Sequence, residues 1–372
     1  MTPRIYLDHA ATTPMRPEAI VAVAEGMARW ANPSSPHGEG RAARRALEDA
    51  RARIAAALGW DGEVILTSGA SEAIRLAIRG RAGAYVAATE HDAVLRAAVR
   101  PTMLAVDARG RVIFPPFVPL ETNGLWAVQT ANSETGVVQS ADAVARAIRA
   151  ANGRWIADAS QTAGKLPLPD ADMIVVSAHK LGGPIGIGAL LVRDLALLTP
   201  TGGQERGYRD GTENLPGALG FAAALEAPRD WFDAMTPLRA RLDAAIVDAG
   251  GEIIGFPANA RTRDHERYAR DPEPPRPQEH GHIPTIASYR MPGVSAGAQL
   301  IRFDMAGFAV SAGSACSSGS MKPSHVLAAM GISPGEAAEV IRVSFGWPTT
   351  ADEVDAFALL WCRTADAARV AA

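Results

Sequence analysis

The sequence predicts an α/β protein, with a mostly parallel sheet flanked by helices followed by a smaller α+β unit. Short apolar runs alternate with helical patterns from residue 16 to about 250, as in sheets whose strands are joined through helices. Those runs are apolar along their whole length, which is the pattern of strands covered on both faces. After Gly250 the alternation gives way to shorter strand patterns set around fewer helices. At about 150 residues per domain, a chain of 372 residues accommodates two domains. We expect a large domain over 16–250 and a small one over 251–372 that also takes in residues 1–15.

In chain order, helices are expected over 17–30 and 40–58; in the second, Leu47, Ile54 and Leu58 fall on one face among arginines. Strands are expected at 64–66, 84–87, 125–130, 155–157, 173–177 and 189–192, and beyond Gly250 at 252–255, 285–289, 308–310 and 340–345. Helices are expected over 296–304 and from Ala351 onward. Residues 258–282 hold four prolines and many charges, with Tyr268 as the one large apolar side chain. Such a stretch buries too little surface to offset its ordering entropy, so it is expected to be a mobile insert. Its His280 and His282 lack a third ligand and point to a solvated loop before a metal site.

Composition excludes several function classes. Hydrophobic residues at 48% and charged residues at 21% match a globular protein and rule out disorder of the whole chain. A net charge of -3 supplies no positive field for phosphate backbones or anionic lipid, so neither nucleic acid nor membrane is an expected partner. The two cysteines, Cys316 and Cys362, make neither a disulfide framework nor a zinc spacing, which suits a reducing, cytoplasmic setting. Asp8 and His9 interrupt the apolar stretch that a signal peptide would need.

Three stretches carry chemistry. Thr67-Ser68-Gly69-Ala70-Ser71-Glu72 is a glycine turn between a strand and a helix, where free N–H groups and the helix dipole attract phosphate; an ordinary helix cap gives the same pattern. Ile156-Ala157-Asp158-Ala159-Ser160-Gln161 delivers a carboxylate to the C-terminal edge of a strand, where open α/β sheets bind ligands. A protonated pyridine nitrogen is one cation that would pair with Asp158, and an N-cap is the plainer alternative. Val176-Ser177-Ala178-His179-Lys180 places a lysine directly after an apolar run. A desolvated lysine is what a Schiff base requires, although a lysine reaching to solvent from a strand end has the same position. Together, an anion cradle, a pyridinium partner and an aldehyde trap make a pyridoxal phosphate constellation.

In these and further segments the chain resembles NifS/IscS-type cysteine desulfurases, which are class V aminotransferase-like pyridoxal phosphate enzymes. The resemblance runs from Tyr6-Leu7-Asp8-His9-Ala10-Ala11-Thr12-Thr13-Pro14 to about Gly346. It includes Asn32-Pro33-Ser34-Ser35, Thr89-Glu90-His91, Asn132-Ser133-Glu134-Thr135-Gly136, Gly203-Gln204-Glu205-Arg206-Gly207, Arg209-Asp210-Gly211-Thr212 and Gly313-Ser314-Ala315-Cys316. It implies the pyridoxal phosphate-dependent transferase fold, similar to aspartate aminotransferase, and pyridoxal 5'-phosphate as cofactor. By the same resemblance Lys180 binds the cofactor covalently, Asp158 pairs with its ring nitrogen and Gln161 bonds its phenolic oxygen. His91 stacks on the ring and moves protons. Ala70, Ser71, Ser177 and His179 hold the phosphate, with Thr212 supplied by the second subunit of a homodimer. Arg342, helped by Asn32, grips the substrate carboxylate; a strand-edge salt bridge is the alternative for Arg342.

Cys316 lies in a Gly/Ser/Ala run with no bulky neighbour, which suits a presented nucleophile, whereas Cys362 lies among Leu359, Leu360 and Trp361 and suits packing. The expected reaction is conversion of L-cysteine to L-alanine, with sulfur left as a persulfide on Cys316 for an acceptor protein in iron–sulfur cluster assembly or thiolation. An aminotransferase, a selenocysteine lyase, or a non-catalytic assembly scaffold are the alternatives. Two departures from the family pattern stand out. Ser133 replaces a second asparagine beside the cofactor ring, and the 258–282 insert falls outside the pattern.

Overall fold

The computed structural model describes residues 4–115, 124–256, 281–313 and 323–371. The strands are β1 (Ile5–Tyr6), β2 (Glu63–Thr67), β3 (Tyr85–Ala87), β4 (Thr102–Leu104), β5 (Leu125–Ala127), β6 (Arg154–Asp158), β7 (Met173–Ser177), β8 (Gly188–Val192), β9 (Glu252–Ile253), β10 (Ile286–Arg290), β11 (Phe308–Ala309) and β12 (Val340–Ser344). The helices are α1 (Pro17–Ala28), α2 (Gly38–Leu58), α3 (Ala70–Ile78), α4 (Asp92–Ala97), α5 (Ala141–Ala150), α6 (Leu215–Glu226), α7 (Trp231–Asp248), α8 (Ala296–Met305), α9 (His325–Ala329), α10 (Pro334–Ala337) and α11 (Ala351–Ala371). Of the insert expected at 258–282, only Gly281 and His282 are among the described residues, and His282 stacks on Phe256.

Seven strands form the main sheet in the order β2-β8-β7-β6-β5-β3-β4. Every residue of β7 and β8 is buried, and the sides alternate: Ile174 and Val176 pack on one face, Met173 and Val175 on the other. The first face is covered by α1, α2 and α6, the second by α3. α6 is apolar all round because it packs against both α1 and α2.

Pairing is parallel from β4 through β7, whereas β8 runs antiparallel to both β7 and β2. The cause is connection length. The glycine-rich stretch between Ser177 and Gly188 is too short for the dozen or more residues that a helical crossover takes, so the chain turns back on itself. In consequence the C-terminal ends of β2, β3, β5, β6 and β7 all open on one edge.

The smaller sheets, β12-β10-β9 and β1-β11, share a second core with α7, α8 and α11, built around Phe303, Phe357, Tyr289 and Trp361. β1 comes from the N-terminus and pairs with β11 some 300 residues later in the chain. Among the described residues no helix is long and apolar enough to cross a membrane.

Candidate active site

The edge where these strands end gathers most of the residues singled out in the sequence. β6 ends at Asp158, whose Oδ1 accepts the Ser160 N–H at 2.9 Å and so turns the chain sharply toward Gln161. β7 ends at Ser177, buried, and a single 3-10 turn, Ala178–Lys180, carries His179 and Lys180 out of the sheet. Lys180 Nζ donates to the Ala10 and Ala11 carbonyls at 2.6 and 2.7 Å. Gln161 Nε2 donates to the same Ala10 carbonyl at 3.1 Å, so the N-terminal segment 8–13 gathers both side chains. His179 Nδ1 lies 3.1 Å from Thr12 Oγ1. Burial, then the nearby Lys180 cation, lower the His179 pKa to about 4, so its ring is neutral at physiological pH.

The turn after β2 leads into α3, whose N-terminus at Ala70 and Ser71 has no side-chain cap. Gly69 there takes φ +144°, a conformation that L side chains rarely adopt. Gly188 sits between Thr67 and Ser177 in the sheet. A Cβ there would approach Gly69 Cα to 2.8 Å and Val176 O to 2.6 Å, so only glycine lets this turn sit down on the sheet. Glu72 folds back on the Ser68 N–H and pairs with Arg209 at 3.2 Å; burial would raise its pKa, but these partners hold it below the usual carboxylate value.

Beyond β3, His91 caps α4 by accepting the Ala93 N–H on Nδ1 at 3.1 Å. It opens on a cavity of about 330 Å³ that is also lined by Glu90, Ser133, Glu134, His325 and Arg342. Arg342, on β12, is 3% exposed. It donates to Asp8 Oδ1 at 2.7 Å and to the Ser133 carbonyl at 3.0 Å, while its buried Nε has no partner among the described residues. Of the two roles expected for Arg342, the salt bridge is the one present between described residues. Glu90 is buried and accepts the Gln129 N–H at 2.6 Å. Burial and then the neighbouring Asp158 carboxylate push its pKa up to about 8.

Some expected residues stand apart. Asn32 is exposed, caps its own turn by accepting the Ser34 N–H at 2.8 Å, and does not line the cavity. Thr212 is exposed on the loop that Arg209 ties to α3. Cys316 lies in 314–322, outside the described residues, although the flanking Gly313 and Pro323 both line the cavity. Cys362 lies half-buried on α11 with Sγ 3.5 Å from the Ala245 carbonyl, and burial raises its pKa.

The described residues fit pyridoxal phosphate. Ser160 Oγ and Gln161 Oε1 are buried without partners among the described residues, beside the lysine and the carboxylate that such a group would use, and buried polar atoms seldom remain unsatisfied. The uncapped α3 N-terminus suits its phosphate.

The aminotransferase class-V pattern matches residues 5–249. The chain belongs to the aminotransferase class-V family. Among its relatives, the putative cysteine desulfurase IscS 1 of Bacillus subtilis is 36% identical over 94% of this chain and 96% of its own length. A cysteine desulfurase of Frankia is 36% identical over 94% of this chain and 88% of its own. A solved NifS-like protein superposes with a TM-score of 0.82 at 28% identity, covering 97% of this chain and 99% of that one. SspA, solved in complex with cysteine, superposes with a TM-score of 0.70 at 28% identity over 93% of this chain and all of its own.

Within this class-V member, sequence reasoning gave no role to Asp8, Glu90, Glu134, Lys165 or His325. Glu90 was signalled by standing next to His91. The pairing of Asp8 with Arg342, 334 residues apart, has no local signal at all.

Proposed function

We propose that this chain is a pyridoxal phosphate-dependent cysteine desulfurase. It converts L-cysteine to L-alanine and leaves the sulfur as a persulfide on Cys316 for an acceptor protein in iron–sulfur cluster assembly or thiolation. The observation that carries the reading is the convergence of Lys180, Asp158, Gln161 and the α3 N-terminus on one sheet edge, beside a cavity holding His91 and Arg342. The relatives named as cysteine desulfurases support it across nearly the whole chain.

When bound, the cofactor supplies an electron sink that weakens the substrate's bonds near the amine. Lys180 holds it, Asp158 stabilises its ring nitrogen, and Ala70, Ser71, Ser177 and His179 hold its phosphate, with Thr212 given by a second copy. Arg342 orients the substrate through its carboxylate. His91, whose ring is anchored through Nδ1 by the Ala93 N–H, moves protons. Ser133 lines the cavity but offers a shorter arm than an asparagine, so the phenolic oxygen falls to Gln161. The division into 16–250 and 251–372 with 1–15 is proposed alongside, with α7 sharing its apolar face with the smaller sheets. So are a cytoplasmic setting and a homodimer.

The test is incubation with L-cysteine while alanine and sulfide are measured together. Equal yields with a reductant present, lost in Lys180→Ala and in Cys316→Ser, are expected. Alanine release at the wild-type rate by Cys316→Ser would overturn the assignment of the nucleophile, and no alanine from the wild-type protein would overturn the activity.

A further inference from the structure

Ser324 and His325 stand side by side at the start of α9, between β11 and β12 in the chain, and each binds a loop of the main sheet. Ser324 Oγ donates to the Glu134 carboxylate at 2.6 Å, and His325 Nε2 donates to the Glu90 carbonyl at 2.8 Å. His325 is half-buried and lines the cavity with His91 and Arg342. The bond decides where its ring proton sits. A backbone carbonyl has no hydrogen to give, so Nε2 carries the proton whether the imidazole is neutral or charged.

The bond falls one residue before His91. Three successive carbonyls hold this segment in place. Thr89 O accepts from Gln129 Nε2 at 2.6 Å and from Asn132 Nδ2 at 3.0 Å, and His91 O accepts the Val94 N–H at 2.8 Å. Glu90 O, between them, accepts from His325, 235 residues later in the chain. The Glu90 carbonyl lies in the same rigid peptide plane as the His91 N–H, so its direction sets where the His91 side chain leaves the backbone. Without a donor at Glu90 O, that plane is free to turn.

We propose that His325 is a positioning residue that holds His91 in line for proton transfer through the Glu90 carbonyl, and that its own ring takes no proton in the reaction. The inference rests on His91 being the proton carrier. A catalytic group displaced by about 1 Å can lose ~100-fold in rate, so one hydrogen bond to the backbone beside it is enough to matter.

Two variants separate the possibilities. His325→Phe keeps an aromatic ring and removes the donor, whereas His325→Gln keeps an N–H near the place of Nε2 and cannot take up a proton. The first readout uses cofactor-free protein, in which modification of His91 by diethyl pyrocarbonate is followed on its peptide by mass spectrometry. The rate should rise ~3-fold or more in His325→Phe, the shift expected from losing one ordinary hydrogen bond, and match wild type in His325→Gln. In the loaded enzyme, kcat for alanine release should fall ~10- to 100-fold in His325→Phe while the KM for L-cysteine changes by less than ~3-fold, and His325→Gln should recover most of the loss. Because Nε2 keeps its proton in both charge states, the ratio of wild-type to His325→Phe rates should stay constant with pH. A ratio that falls toward one at low pH would make His325 a base and overturn the proposal. His325→Gln as slow as His325→Phe, or unchanged kcat or unchanged His91 labelling in His325→Phe, would overturn it too. Should His325→Phe fail to fold, His325→Leu replaces it with the same expected effects. No alanine from the wild-type protein would instead sink the desulfurase reading, while the His91 labelling would still decide whether His325 clamps the segment.

Discussion

Glu90 shows how far one buried group can bind stability to pH. Its ordinary pKa of 4.5 is raised to about 8 by burial and by Asp158. Between those values the folded chain keeps a proton that the unfolded chain has released, so this group's contribution to stability falls as pH rises through that window. Glu90→Gln holds the neutral form permanently and still offers an acceptor to the Gln129 N–H. The Tm of Glu90→Gln relative to wild type should therefore climb between pH 5 and pH 8, and a flat difference would refute the protonated state. Arg342 gives a second prediction at this scale. Its guanidinium already serves Asp8 and the Ser133 carbonyl, so a substrate carboxylate must use what remains. Arg342→Lys cannot reproduce that planar fork, and the KM for L-cysteine should rise ~10-fold or more with a smaller change in kcat. Local pattern identified Arg342 as a candidate but not its partner, because nothing near residue 342 encodes contact with residue 8.

Elements were legible where a single period dominated. β7 matched its expected bounds because four consecutive apolar residues, Met173–Val176, show no helical amphipathic period, and the lysine that follows could be read directly from where that run stops. The direction of β8 was not legible, since it depends on how the chain closes after the strand and not on the strand itself. The same holds for the pair that anchors the loop 203–212. Arg51 on α2 forks onto Glu205 at 2.6 and 3.0 Å, and Glu205 also accepts the Leu66 N–H at 2.9 Å. Glu205 and Arg206 both adopt positive φ, a strain that the surrounding bonds must hold. Arg51→Met leaves a carboxylate buried without its cation, which should cost ~3–5 kcal/mol in urea unfolding, and Arg51→Met with Glu205→Gln should recover much of it. Equal losses in the single and double variants would show that the charge is not the issue. Gly188→Ala should likewise loosen the turn at Gly69, reducing stability by ~1–3 kcal/mol and weakening cofactor binding at the α3 N-terminus.

At the scale of the molecule, the cavity is assembled by both sheet systems. Ser288 Oγ and Ser324 Oγ donate to the carbonyl and carboxylate of Glu134 at 2.8 and 2.6 Å, and His325 Nε2 donates to the Glu90 carbonyl at 2.8 Å. Neither half of the chain closes the site without the other. One expected contributor remains unaccounted for within a single copy, because Thr212 is exposed while the loop behind it is clamped by Arg51–Glu205 and by Arg209–Glu72. A rigid loop offering an exposed hydroxyl suits a role toward a neighbouring copy, and mixing subunits can test it. Losing a hydrogen bond to a charged phosphate costs roughly 1.5–3 kcal/mol, so Thr212→Val should bind cofactor ~10- to 100-fold more weakly. Lys180→Ala should be inactive. If Thr212 serves the partner's site, a mixed dimer of the two variants contains one site with a native lysine from the Thr212→Val copy and a native threonine from the Lys180→Ala copy. At a cofactor concentration too low to load Thr212→Val alone, the mixture should then regain up to half the activity of one wild-type dimer per mixed dimer. If Thr212 serves its own chain, no mixed dimer holds an intact site, and activity should not exceed that of the separate variants.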